Sequence, residues 1–367
     1  IHAATMVAAG IYLLVRIDFM LVPEVTLLIA LLGAAMALYA GFCALAQRDI
    51  KKVLAYSTLS QLGYMAAIAG LGMSGLAMFH LATHAFFKAL LFLGAGSVMM
   101  ARHHQQDIFQ MGGLAKRMPW TARAFLLGVL AICGVTFTSG FFSKDAILVA
   151  AYDTNLPVFA MLLAGALLTA FYMGRLYWLI FHGEARSKAA EEAKENQPVT
   201  VVPLLLLALF STFGGFVTFW PEQLSVVFSS ELEATHDSRG HLFVMTFGTL
   251  AWVLGLWGSW IIYRRSKGTE PLEESVPGFF RLCESRLFFD EIYDYCVTRP
   301  LRRIASILEA MELLIISGLM VRGTAGIMAL FGLAFNAVHR GGIRAYALWF
   351  VTGLIAFLAY AGGWLEL

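Results

Sequence analysis

The sequence predicts an all-α, polytopic transmembrane helical bundle, and three observations carry that prediction. Of its 367 residues, 59% are hydrophobic and only 14% charged, against about 45–50% and about 25% in soluble domains. Mean hydropathy is +0.74. Apolar runs of spanning length recur along the chain, each meeting the need for about 20 apolar residues at ~1.5 Å rise per residue. No period-2 strand pattern competes with them, and an open sheet would leave backbone groups unpaired in lipid.

In order, the runs are roughly 1–16, 25–46, 53–72, 76–100, 121–150, 157–181, 199–219, 242–263 and 346–364. The loops between them are mostly short, so neighbouring helices are expected to pack antiparallel. The first run opens at Ile1-His2-Ala3-Ala4-Thr5, already apolar and without a charged lead, unlike a signal peptide. The chain is therefore expected to be a piece of a longer protein that lacks its N-terminal portion. A net charge of +2 argues against a nucleic-acid partner. The four cysteines show no CxxC spacing and read as small packing residues.

If the spans alternate, the loops after 46, 100, 181 and 263 share one side. They carry Arg48, Lys51, Lys52, Arg102, Lys116, Arg117, Arg186, Lys188, Lys194, Arg264, Arg265 and Lys267, whereas the other side offers only Arg16 and Arg239. That imbalance predicts the first side to be the cytoplasm or the matrix. Arg175, close to that end of its helix, is expected to snorkel. Residues 301–338 also look helical. Arg302, Arg303, Glu309, Glu312 and Arg322 stud the segment, and a crossing would carry Arg340 and Arg344 to the outer side. An amphipathic helix lying along the cytoplasmic surface is expected rather than a further span.

Ionisable side chains inside the hydrocarbon are costly and default to a functional reading. His80, His84 and Lys88 stand at i, i+4 and i+8, on one face about 12 Å long, with Lys88 at mid-helix. Imidazoles that exchange protons near neutrality and a deeply buried amine read as a relay. The alternative is that Lys88 pairs with a carboxylate and only fixes packing. Segment 121–150 is long for one span, and Gly134, Thr136, Thr138, Ser139 and Gly140 interrupt it before Lys144 and Asp145. That pattern predicts a discontinuous helix, whose freed backbone groups can hold ions or water. A plain helix start at the outer interface is the competing account of Lys144 and Asp145. Ser57, Thr58, Ser60, Gln61 and Tyr64 cluster after Lys51 and Lys52, serving either a wetted path or helix–helix packing. His2 is open between core packing and relay. His103-His104 lacks a third ligand at a metal-site spacing. With no Gly-rich phosphate loop, nucleophile elbow or Cys cluster, no redox cofactor or metal site is expected in this chain.

Several strings resemble the antiporter-like membrane subunits of respiratory complex I. They are His2-Ala3-Ala4-Thr5-Met6, Ala55-Tyr56-Ser57-Thr58-Leu59-Ser60-Gln61-Leu62-Gly63-Tyr64-Met65, and His80-Leu81-Ala82-Thr83-His84-Ala85-Phe86-Phe87-Lys88-Ala89. Asp107-Ile108-Phe109-Gln110-Met111-Gly112-Gly113-Leu114 and Gly140-Phe141-Phe142-Ser143-Lys144-Asp145 extend the match. Phe289-Asp290-Glu291-Ile292-Tyr293-Asp294 with Arg299-Pro300-Leu301 is similar to the entry of the long lateral helix found in that group.

The resemblance implies a five-helix antiporter-like repeat with a discontinuous helix at 25–181, preceded at 1–24 by the end of a linking helix. It further implies two more spans at 182–263, a connector and lateral amphipathic helix at 264–345, and an anchoring span at 346–367. It makes Lys88 the central lysine, His80 and His84 the connecting histidines, and Lys144, beside Asp145, the lysine of the broken helix. His2 becomes a histidine of the linking helix, and Lys51 or Lys52 lies on the input side. A proton would pass Ser57, Ser60 and Gln61 to Lys88, then Lys144. The implied activity is proton translocation in a bacterial inner membrane, as part of an NADH-quinone oxidoreductase. NADH, FMN, iron–sulfur clusters and quinone would sit on partner subunits, and the lateral helix would contact neighbouring antiporter-like subunits. A multisubunit Na+/H+ antiporter, a membrane-bound hydrogenase and a purely structural strap are the competing readings.

Overall fold

The computed structural model describes residues 5–102, 104–216, 220, 240–264, 266, 268–339 and 341–363. His2, His103, Arg239, Arg265, Lys267 and Arg340, on which the sequence reading draws, lie outside them. Among the described residues the regular structure is helical, with one isolated bridge between Asp49 and Asp107.

The first unit covers residues 1–288. Its helices are α1 (Met6–Arg16), α2 (Pro23–Ala46), α3 (Ile50–Gly70), α4 (Ser74–Met100), α5 (Pro119–Cys133), α6 (Ser139–Thr154) and α7 (Leu156–Phe181). They are followed by α8 (Lys188–Glu191), α9 (Pro198–Phe213), α10 (His241–Tyr263), α11 (Pro271–Ser275) and α12 (Pro277–Glu284). Prolines open α2, α5 and α9 at positions that need no N–H donor, and the Asp49 carboxylate caps α3 by accepting from Lys51 N at 2.7 Å. Helices α2, α4, α7 and α10 are each long and apolar enough to cross a membrane.

The loops after α2, α4, α7 and α10 interlock at one end of the bundle, as the charge asymmetry anticipates. Ile108 N donates to Arg48 O at 2.9 Å, Gly113 N to His182 O at 3.0 Å, and Arg186 Nη2 to Ser266 O at 3.1 Å. Arg–Trp pairs mark the same level: Arg264 lies 4.0 Å from the Trp260 ring and Arg123 5.2 Å from that of Trp120, as expected of interfacial anchors.

Small residues let α2 and α3 approach closely. A Cβ on Gly63 would stand 2.6 Å from both Ala37 N and Gly33 O, so the helices touch backbone to backbone. Gly63→Leu should therefore wedge them apart and cost about 1–3 kcal/mol by overpacking. Thermal unfolding of the detergent-extracted protein checks this, with Gly10→Ala as control, since a Cβ there meets nothing within 4 Å. An unchanged melting temperature for Gly63→Leu would contradict the close contact.

The predicted interruption is a real break. Helix α5 ends at Gly134 in the left-handed region (φ 78°), Phe137 adopts φ 70°, and α6 restarts at Ser139. Glycine takes that conformation without a Cβ penalty.

The second unit covers residues 289–367. The chain enters it after Arg286, Leu287 and Phe288, all at φ near 55°. Then α13 (Phe289–Tyr293), α14 (Arg299–Met311) and α15 (Thr324–His339) follow one another through π-helical stretches at Asp294–Thr298 and Glu312–Gly323. Expected over 301–338, the helix thus already begins at Phe289. At ~1.5 Å per residue it is about 75 Å long, more than twice the ~30 Å hydrocarbon core. Leu301, Ile304, Leu308 and Met311 repeat at helical spacing, with Arg302, Arg303 and Glu309 between them and Arg299 ahead of them. Helix α16 (Ile343–Ala361) is again of spanning length.

Candidate functional site: a buried lysine–histidine row

Helices α3, α4 and α6 meet around the break. Lys88 is buried in the middle of α4, and its ammonium donates to Leu54 O at 3.2 Å and to Ser57 Oγ, both on α3. The carboxylate partner that would make Lys88 a mere packing element is not seen: among the described residues no Asp or Glu forms an ion pair with it.

One turn further along α4, His84 is buried, and neither ring nitrogen has a hydrogen-bonding partner among the described residues. Its ring centroid lies 6.1 Å from that of His80, and Phe87 closes over it at 5.3 Å. His80 is fully engaged. The Gln61 amide oxygen faces its Nε2 at 3.2 Å, which assigns the ring proton there and leaves Nδ1 to accept from the Ser143 hydroxyl at 2.9 Å. Thr83 Oγ1 stands 2.9 Å from the same hydroxyl. A hydroxyl on α6 thereby joins the α4 stripe to the broken helix.

Lys144 follows Ser143 and is buried at 3% exposure. Its ammonium donates to Ile132 O at 3.2 Å, near the end of α5, and lies 5.0 Å from the Tyr64 ring centroid. The Tyr64 hydroxyl donates to Leu162 O on α7, which fixes that ring beneath the amine. Asp145 meets α10, with Oδ2 3.6 Å from His241 Nε2. A cavity of about 20 Å3 touches Lys144, Asp145 and Gly248, room for about one water molecule.

The polar residues of α3 divide by helical face. Ser57 and Gln61, at i and i+4, turn toward Lys88 and His80. Ser60 turns away and donates to Ala37 O on α2 at 2.9 Å, a helix-joining contact. Lys52 is exposed at the start of α3, outside the buried row. Thr83 and His241 were not among the residues singled out in the sequence. Thr83 shares the α4 face with His80 by its i+3 spacing; His241 lies about a hundred residues from Asp145 and has no local signal.

Arg175 corrects the sequence reading. It does not snorkel: its side chain is 0% exposed and its Nη2 meets Glu270 Oε2 at 2.6 Å, with Nε at 3.1 Å from the same oxygen. Its Nη1 donates to Gln47 O at 2.9 Å, and the Tyr263 hydroxyl donates to Glu270 Oε1. The acidic partner arrives from the loop after α10, so burial with pairing replaces escape to water.

A family model described as NADH:quinone oxidoreductase/Mrp antiporter, TM, matches residues 1–169. NADH-quinone oxidoreductase subunit L of Campylobacter jejuni is 41% identical, over 86% of this chain and 52% of that protein. Subunit L of Escherichia coli K12 is 41% identical over 84% and 50%, and that of Rickettsia conorii 34% over 98% and 60%. The chain spans about half the length of the first of these relatives. A solved Mrp complex from Dietzia sp. DQ12-45-1b shares the fold, with a TM-score of 0.60 at 23% identity over 100% of this chain and 37% of that one. With its broken helix, its buried lysines and these relatives, the chain belongs to the NADH:quinone oxidoreductase/Mrp antiporter family of membrane proteins and, within it, resembles subunit L.

Proposed function

We propose that this chain translocates protons across a bacterial inner membrane as part of an NADH-quinone oxidoreductase. The observation that carries the proposal is the row Lys88–His84–His80–Ser143–Lys144. Two buried amines without carboxylate partners among the described residues are joined through groups that both accept and donate protons.

A proton enters from the end bearing the interlocked basic loops, taken as cytoplasmic, and reaches Lys88 beside Ser57. It passes to His84, whose unpaired nitrogens suit a bridging water, and then to His80. Once His80 is protonated, the Ser143 hydroxyl turns to accept the Nδ1 proton and passes its own proton on toward Lys144, which returns His80 to the neutral ring. Lys144 takes the next position, and Asp145 with His241 forms the outlet. The low dielectric makes each charge felt by the next, so occupation of one amine drives the proton on the other outward. Electron transfer, with NADH, FMN, iron–sulfur clusters and quinone, belongs to partner subunits. The long helix of the second unit suits contact with neighbouring antiporter-like subunits, being too long for a single crossing and amphipathic over Arg299–Met311.

An affinity tag on the full-length subunit tests the assignment. It should co-purify subunits that oxidise NADH and reduce quinone, and NADH should drive proton uptake into vesicles holding the complex. Sodium-driven proton flux in the absence of those subunits would favour an antiporter instead.

A further inference from the structure

A groove of about 340 Å3 runs between the last third of α4 and the start of α9. Phe92 and Met99 form one wall, Val199 and Pro203 the other. Gly96 opens the floor, since a Cβ there would meet nothing within 4 Å. The lip is apolar and exposed, with Leu93 at 51%, Met100 at 52% and Val199 at 82%. From Phe92 to Met100 the helix rises about 12 Å, most of the ~15 Å depth of one hydrocarbon leaflet.

The end nearest the interlocked loops differs in character. Lys51 and His104 line it, both exposed, and Lys52 follows Lys51 on the same turn. Asp49, the acidic group nearest in sequence, is occupied in capping α3 through the backbone N–H groups of Lys51 and Lys52. An apolar slot of leaflet depth with cations at its headgroup end matches an amphiphile with an anionic head. Away from that end the lining offers only the Thr200 side chain for polar contact, so an extended peptide would leave its backbone groups unpaired. Basic pockets between membrane helices recognise anionic headgroups on these grounds.

We propose that this groove binds an anionic phospholipid, one acyl chain lying over Gly96 between α4 and α9 and the phosphate held by Lys51 and His104. The site is separate from the proton row and does not depend on that assignment. The test uses the complete complex in its membrane, treated with phosphatidylglycerol or phosphatidylcholine bearing a photoreactive acyl chain. Labelled peptides are then mapped by mass spectrometry. Phosphatidylglycerol should label residues 92–100 and 199–203 several-fold more strongly than phosphatidylcholine. Gly96→Phe, which fills the slot, should remove that labelling and leave labelling elsewhere intact. Lys51→Gln, a surface change that folding tolerates, should erase the preference for the anionic lipid and so decides the matter even if Gly96→Phe fails to fold. Equal labelling by both lipids, no label in the groove, or capture of a neighbouring subunit by a Gly96→Cys cross-linker would each overturn the proposal.

Discussion

Lys88→Met in the assembled complex should abolish proton translocation through this chain while leaving the subunit folded and inserted. Both halves follow from its surroundings. The amine is fully buried and bonded only to Leu54 O and Ser57 Oγ among the described residues, with no carboxylate to be orphaned by its removal. A lysine at the middle of a membrane helix costs roughly 2.5–3.5 kcal/mol on insertion scales, and methionine fills similar space without that cost. The variant should accumulate at least as well as wild type and melt no lower. Proton transfer has no comparable substitute, because the thioether accepts no proton. Loss of a transferring group lowers such a step by roughly 10²–10⁴-fold. Proton uptake per electron into NADH-energised vesicles measures this directly. Lys88→Arg refines it: a guanidinium keeps the charge but does not release its proton, so it should fail like methionine. Restored uptake with arginine would mean that only a fixed charge is required. An unchanged proton-to-electron ratio in Lys88→Met would remove Lys88 from the path, and loss of assembly would favour a structural strap.

The sequence exposed what is periodic or locally punctuated, and little of what depends on distant partners. The long apolar helices α2, α4, α7, α10 and α16 were legible because 20-residue apolar runs are local properties, and Gly134 through Gly140 announced the break. The histidine–lysine stripe was legible from i+4 spacing alone. The same spacing joins Ser57 to Gln61, and applying it to α3 would have separated these two from Ser60, which faces Ala37 on α2. What stayed hidden was the far side of each contact. Nothing local to Asp145 points to His241, and nothing local to His80 points to Ser143, 63 residues on. Arg175 failed for this reason. A cation near a helix end reads as a snorkelling side chain unless the chain returns a carboxylate to it, and Glu270 returns from 95 residues away. The long helix showed the opposite limit: its amphipathic pattern was visible, but its start at Phe289 follows from backbone continuity across Asp294 and Thr298.

Arg175→Ala should destabilise the bundle more than any other substitution at the loop-bearing end, by about 3–5 kcal/mol. The guanidinium is enclosed by the residue that follows α2, the loop after α4, the end of α10 and the loop that follows α10. It bonds Gln47 O, meets Glu270 through two nitrogens, and lies 5.5 Å and 5.6 Å from the Phe109 and Tyr263 rings. Truncation would leave Glu270, with 2% side-chain exposure, as a buried carboxylate held, among the described residues, by the Tyr263 hydroxyl and the Leu272 N–H. The penalty therefore belongs to the abandoned partner more than to the lost bond. That distinction is measurable. Glu270→Gln alone should also destabilise, since it orphans the arginine, whereas Arg175→Met with Glu270→Leu should recover much of the loss by replacing both charges with apolar groups. A double-mutant cycle on melting in detergent should return a coupling energy of at least about 1 kcal/mol. Additive single changes would mean that the pair contributes no mutual stability. Because Arg175 stands outside the Lys88–Lys144 row, complexes that still assemble with the double apolar variant should keep their proton-to-electron ratio. A reduced ratio in a fully assembled, normally stable variant would instead draw the Arg175–Glu270 pair into the proton path, making it an entry element at the loop-bearing end.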